Sequence, residues 1–181
     1  MSTWVHYDTT TGQIVAIGVA PSDREAEMQP VEDGRAALIL PDGLILNPYA
    51  ETPDFSRLKT YLRSKVDMEA AAIFKSNVTD IAGQDRRYAQ KLAEAQSWAA
   101  GADEADPALY PFMVAEAEAR SAISGSAVPV SQVRSEVLAR SSEVTAAEAR
   151  IEALRVASKI AVQAGDNICD ILQAATVDWN G

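Results

Sequence analysis

The spacing of apolar residues changes near residue 50, and this change limits the chain to a β unit followed by helices. In residues 1–50, apolar side chains alternate with polar ones or form short runs between turn residues, which is typical of strands. From Phe55 onwards they recur every three or four positions, which is typical of helices. The pattern predicts an α+β fold, with a small N-terminal antiparallel β-hairpin domain followed by an α-helical bundle with a long C-terminal helix.

Two hairpins are predicted in the first fifty residues. The first joins residues 3–8 to residues 13–20 through a loop of about four residues that contains Gly12. The second turns at Pro41, Asp42 and Gly43 between two short apolar runs. Because runs that are apolar on both faces need cover on both sides, we expect a helix or another subunit against this sheet.

Four helices are predicted beyond the connector that contains Pro48 and Pro53. The last and longest runs from residue 131 to about residue 175, and Gly165 is a position at which it can kink or end. The predicted domains are a β-hairpin anchoring domain (1–50), a bundle of three helices (51–128), and the long C-terminal helix with a short tail (129–181).

The long helix carries a heptad seam that we predict to be an oligomer interface. Apolar residues fall at both seam positions of the repeat, although Arg140 and Ser158 interrupt it. A second stripe, which includes Val156 and Ile160, widens the apolar face and favours a bundle or a trimer over a two-stranded coil. The predicted interface residues are Val133, Val137, Val144, Ile151, Leu154 and Ile168.

No group of residues in the sequence forms a recognisable catalytic centre. Asp80 and Asp85 near Arg86 can be interpreted as a carboxylate pair, or as the corner at which one helix ends and the next begins, and we favour the corner. His6 is the only histidine, and Cys169 lies among apolar residues, so neither has the partners of a metal site or a nucleophile. We therefore expect no enzymatic activity, no cofactor and no metal.

Charge and hydropathy limit the partners. The net charge is −10 and no basic run is longer than Arg86-Arg87, which argues against nucleic acid. No stretch reaches the roughly 20 apolar residues that span a bilayer, and the first residues lack the pattern of a signal peptide. We expect synthesis in a cytosol and no membrane partner. Three aromatic residues are candidates for docking to other proteins, namely Trp4, Tyr7 and Trp179.

The helical part contains four short patterns in a fixed order. They are Val66-Asp67 with Glu69-Ala70, then Gly83-Gln84, then Tyr88 with Lys91 and Glu94-Ala95, and finally Tyr110-Pro111 after an acidic loop. This order resembles an alanine-rich helical module of small tail-fibre and tail-assembly virion proteins of tailed bacteriophages. The opening "WVHYD" with "TGQIV" is similar to the β-hairpin with which many phage tail-region proteins begin. One departure is Ile81-Ala82, where the family often has Pro-Gly.

The resemblance implies a structural virion component that is made in the bacterial host cytoplasm. It implies a homo-oligomer, with a trimer favoured, that binds other phage tail or virion proteins and has no catalytic residues. Three alternatives stay open: a tail-fibre assembly chaperone that leaves the particle, a small enzyme such as a cell-wall hydrolase, and a cytosolic oligomeric binding module unrelated to phage. Detection in purified particles separates the virion component from the chaperone.

Overall fold

The computed structural model of the chain describes residues 2–40, 44, 54–77, 84–98 and 106–180. It confirms the predicted α+β fold, with an N-terminal antiparallel sheet and a helical region that contains one long helix near the C-terminus. The elements in chain order are β1 (Ser2–Asp8), β2 (Ile14–Ala20), α1 (Asp23–Glu27), β3 (Arg35–Leu40), α2 (Ser56–Asn77), α3 (Gln84–Ser97), α4 (Pro111–Ser124), α5 (Val130–Ala164) and α6 (Ile168–Ala175).

The three strands form one antiparallel sheet in the order β2-β1-β3. The first predicted hairpin is confirmed, and its loop is built by Asp8, whose side chain accepts hydrogen bonds from the backbone N–H groups of Thr10 and Thr11. Gly12 takes the left-handed conformation in that loop, with φ +68°. The second predicted hairpin falls largely on residues outside the described ranges; its first run is β3, which pairs with β1.

One face of the sheet forms the main core together with three helices. Val5 is fully buried at its centre, opposite Ile17 on β2 and Leu38 on β3. The residues that cover this face are Phe55, which directly precedes α2, Leu58 and Leu62 from α2, Val162 from α5, and Ile168, Ile171 and Ala175 from α6. Residues from both ends of the chain therefore share one core, and the expected helical cover of the sheet is present.

All three strands are in contact with α1, a short helix that the apolar pattern did not predict. Ser22 caps it, since its hydroxyl accepts from the backbone N–H of Glu25 and donates to the Glu25 carboxylate. Ala26 is buried, and Ser2 donates a hydrogen bond to Asp23. These contacts attach α1 to the sheet.

The predicted C-terminal helix is two helices, because the chain turns at Gly165. A Cβ atom at position 165 would lie 2.8 Å from Cγ1 of Ile171, so a residue larger than glycine would clash at this turn. Asn167 caps α6 by accepting from the backbone N–H of Asp170. Ser158, which interrupts the predicted seam, is buried and donates to the carbonyl of Ala174 at 2.6 Å.

The chain divides into two compact units. One, which we call the sheet unit, comprises Met1–Ala72 and Ile151–Gly181, and the other, the helical unit, comprises Ile73–Arg150. Helices α2 and α5 contribute residues to both. The core of the helical unit is formed by Ala95 of α3, Met113, Val114 and Ala117 of α4, Val130 and Val133 of α5, and Tyr110.

We expect Gly18→Ala to lower the free energy of unfolding by roughly 1–3 kcal/mol, the usual cost of overpacking. The added Cβ would lie 2.2 Å from Cζ2 of Trp4, a ring that also contacts His6 at 4.5 Å between centroids. Denaturant unfolding of Gly18→Ala, Trp4→Ala and the double variant measures the coupling between the two positions. A cost of Gly18→Ala that is unchanged in the Trp4→Ala background would contradict this contact.

Candidate functional site

An ionic cluster joins α2 to α5 in the sheet unit. The carboxylate of Asp67 accepts from Nη1 of Arg155 at 2.5 Å and from Nζ of Lys159 at 2.6 and 2.8 Å. We call these three residues the clasp. Arg155 also forms two hydrogen bonds with Glu152, at 2.7 and 2.8 Å. The hydrogen bonds from Lys159 and then Arg155 lower the pKa of Asp67, so this carboxyl stays ionised at neutral pH.

A groove of about 490 Å³ lies next to the clasp, between α2 and α5. Two ridges of α5 line it, each with a spacing of four residues. One ridge is polar and the other is apolar and exposed, with 40 % of Val156 and 65 % of Ile160 accessible to solvent. The lining residues are Arg63 of α2 and, on α5, Arg155, Val156, Lys159, Ile160, Gln163 and Ala164. The wall of this groove therefore combines three cationic side chains with an apolar ridge and contains no acidic residue.

Arg63 differs from the other two cations of the groove. Its guanidinium donates from Nη1 to Oε1 of Gln163 at 3.1 Å, and its Nε is buried without an acceptor among the described residues. Lys59 holds the same end of α5 by donating to the carbonyl of Gln163 at 3.0 Å. Because Gln163 is neutral, the charge of Arg63 is not balanced in the way that Asp67 balances the clasp.

The helical unit has its own polar framework, built by residues of α3. Glu94 accepts from the backbone N–H groups of Phe112 at 3.1 Å and Met113 at 2.9 Å. These groups lie in the first turn of α4, whose N-cap residue Tyr110 makes no side-chain cap, and Pro111 has no N–H to satisfy. Glu94 therefore caps α4 from a neighbouring helix.

A second carboxylate, Glu116 of α4, accepts from Lys91 and Arg120. Burial raises the pKa of Glu116, yet the hydrogen bond and the charge of Lys91, aided by Arg120, bring it below its usual value. Arg120 also reaches Glu136 of α5. The rings of Trp98 and Tyr110 stack, with 4.8 Å between their centroids.

Several residues of the four short patterns in the helical part have structural contacts within the chain. Val66 and Ala70 are buried, while Asp67 forms the clasp. Glu69 accepts from Nε1 of Trp179 at 3.3 Å, which attaches the C-terminal tail to α2. In the helical unit, Ala95 is buried. Gly83 lies outside the described residues.

The six predicted interface residues occupy different environments. Val133, Ile151 and Ile168 are buried within the single chain, so their side chains present no surface to a second copy in this conformation. Val137 packs against the core of the helical unit, and Val144 and Leu154 are half-buried. Three of the six residues therefore lie in the interior of the chain. The role of the six residues in an oligomer stays a prediction.

The three predicted docking aromatics are all half-buried. Trp4 lies against His6 and over Gly18, Tyr7 packs against the main core, and Trp179 contacts Glu69. Their role in binding another protein stays a prediction.

His6 and Cys169, two of the residues that raised the question of catalysis, both lie in the sheet unit. His6 is buried and its Nε2 has no hydrogen-bond partner among the described residues. Burial, followed by the charges of Asp170 and Asp8, raises the pKa of the Cys169 thiol, which points at the carbonyl oxygens of Asp8 and Thr9. Asp80 lies outside the described ranges, and Arg86 is exposed. Within the described residues no group of three or more His, Cys, Asp or Glu could hold a metal ion.

Comparisons with family models, with curated proteins and with solved structures found no match. No described helix is long and apolar enough to cross a membrane.

Two features of the structure were not predicted from the sequence: the contact of Arg63 with Gln163, and helix α1. Arg63 and Gln163 are a hundred positions apart, and no local pattern indicates that they meet. The short helix α1 did have a signal, because Ser22 and Glu25 form the capping-box spacing that marks a helix start.

Asp67→Asn is expected to lower the free energy of unfolding at neutral pH by roughly 0.5–1 kcal/mol, since the clasp is partly exposed and screened by solvent. The pKa of Asp67 is depressed in the folded chain, so its contribution is present above the unfolded value of about 3.9 and is lost as the pH falls through the folded value. Urea unfolding between pH 3 and 7 should show the variant and the wild type converging in acid.

The matched control is Glu143→Gln, because Glu143 pairs with Arg140 at 3.5 Å on an exposed part of α5. This substitution should have little effect on stability at any pH. Equal effects of the two substitutions would contradict a stabilising clasp.

Glu94→Ala is expected to cost about 1 kcal/mol, the usual value of a lost helix cap. The reason is that two backbone N–H groups at the start of α4 lose their acceptor. Thermal unfolding followed by circular dichroism measures the loss. Glu118→Ala, an exposed change on α4, is the control; the capping role fails if both variants unfold at the same temperature.

Proposed function

We propose that the chain is a structural component of a bacteriophage virion, either a tail-fibre-like or a tail adaptor protein. It assembles as a homo-oligomer, with a trimer as the favoured state, and docks through its N-terminal β domain to other tail or virion proteins. The order of the motif residues and the opening hairpin supply the phage part of this proposal. The groove of the sheet unit supplies the assembly part.

The observation that carries the assembly role is the exposed apolar ridge of the groove. A large apolar residue with most of its surface in water, as in Ile160, is unremarkable alone. Here it continues into Val156 along a concave wall that also carries Arg63, and concave apolar surfaces with few polar groups are typical of binding sites. The residues present favour binding over chemistry, because the lining offers cations and an amide, and its one amine, Lys159, is paired with Asp67.

A tail-fibre assembly chaperone is the alternative. It would use the same kind of surface, because a chaperone also binds partners through exposed apolar residues. The two functions differ in whether the chain remains in the finished particle.

Mass spectrometry of purified particles of the phage that encodes the chain tests this proposal. We expect its peptides in the particle at a fixed ratio to the other tail proteins, with a host cytosolic protein as the negative control. Presence in the lysate in complex with a fibre protein, together with absence from the particle, would establish the chaperone and overturn the virion role.

A further inference from the structure

We infer that a segment of the sheet unit docks into the groove of a second copy of the chain. The segment is residues 21–34, which include α1, and we call it the acidic arm. The inference rests on the proposed function because it names how copies of the chain bind one another. It does not depend on the chain coming from a phage. It is carried by two surface patches of one compact unit that are complementary in charge and in apolar character.

The groove provides positive charge and apolar surface. Arg155 and Lys159 are held in place by Asp67, so their positions are fixed before any partner binds. Arg63 donates to a neutral amide and forms no ion pair with another of the described residues. Ile160 is the most exposed residue of the apolar ridge. A partner that places an apolar side chain on this ridge and a carboxylate near Arg63 would satisfy both features.

The acidic arm provides the opposite character. It contains five acidic residues and a single basic residue, Arg24. Met28 is 74 % exposed and Val31 is 41 % exposed, so the arm also presents apolar side chains to water. Glu27, next to Met28, has an exposed side chain. Methionine is flexible and adapts to an irregular apolar wall, which makes Met28 the natural counterpart of Ile160.

The arm is also held in a fixed conformation before binding. Ser22 caps α1, and Glu32 pairs with Arg35 of β3 at 2.8 Å. Asp23 is fixed by Ser2 of β1. Because the arm is attached to the sheet at both of its ends, it loses little conformational freedom when it docks, which favours association.

The symmetry of the contact between arm and groove sets the kind of assembly that results. A head-to-tail contact leaves one free arm and one free groove in a dimer, so further copies can add. A rotation that closes after three copies gives the trimer of the proposed function, and one that does not close gives a filament. A twofold axis instead places each arm in the groove of the other copy and closes the assembly at two copies.

The test uses one substitution in each patch of the full chain. Ile160→Glu places a negative charge where the arm would dock, and Met28→Lys places a positive charge beside the groove cations. Both positions are exposed, and a lysine at the C-terminal end of α1 suits the helix dipole, so the fold should persist. Each variant alone should have a dissociation constant for self-association at least about tenfold higher than that of the wild type.

Mixing the two variants gives the decisive measurement. The Ile160→Glu copy retains an intact arm and the Met28→Lys copy retains an intact groove, so an equimolar mixture should form a complex that stops at one copy of each. Light scattering at several concentrations measures the mass of each sample. The control is Ile123→Glu, at an 88 % exposed position of α4 outside both patches, which should associate as the wild type does.

Each of the other possible results of this experiment contradicts one specific part of the inference. If the wild type associates and both variants do so equally well, the contact is wrong while the homo-oligomer stands. If only Ile160→Glu weakens association, the groove binds something other than the arm. If both variants are monomeric and their mixture stays monomeric up to the highest concentration, where even the single contact of a one-to-one complex should form, the contact between arm and groove is wrong. A wild type that is monomeric at every concentration removes both this contact and the homo-oligomer of the proposed function.

Discussion

The burial of one apolar sheet face beneath helices from both ends of the sequence is the contact on which the rest of the fold depends. A sheet that is apolar on one face must bury that face against another element, so the face around Val5 needs a partner. That partner is formed by α2 and by α6, which the turn at Gly165 returns to the sheet. This long-range packing places α2 beside α5, and the clasp and the groove both follow from their proximity.

The sequence predicts those features that depend on local spacing. The first hairpin and the helical spacing that begins at Phe55 were correct because alternation and helical periodicity report which side of an element is buried. Periodicity does not report what covers that side. The seam of α5 was therefore identified as an apolar face, yet Val133 and Ile151 are buried inside the chain and the exposed ridge lies at Val156 and Ile160.

The remaining features of the site depend on pairs that are distant in sequence. The clasp joins Asp67 to residues almost ninety positions later, and Glu94 reaches the start of α4 across a loop. Each of these carboxylates belongs to one of the four short patterns of the helical part. The structure gives each carboxylate a physical role that sequence spacing does not predict. Asp67 neutralises two cations, and Glu94 accepts from backbone N–H groups that would otherwise be unpaired.

The size of the proposed contact determines how it would act. A surface centred on Met28, Val156 and Ile160 buries only a few apolar side chains, so a single arm in a single groove should bind weakly. The charges on both patches raise the rate of encounter more than the affinity, and salt weakens them. Repeated contacts change this, because each copy in a closed ring is held at two sites and both must open before it leaves. A weak contact of this kind lets the free chain stay soluble, while a high local concentration of copies favours the assembled form.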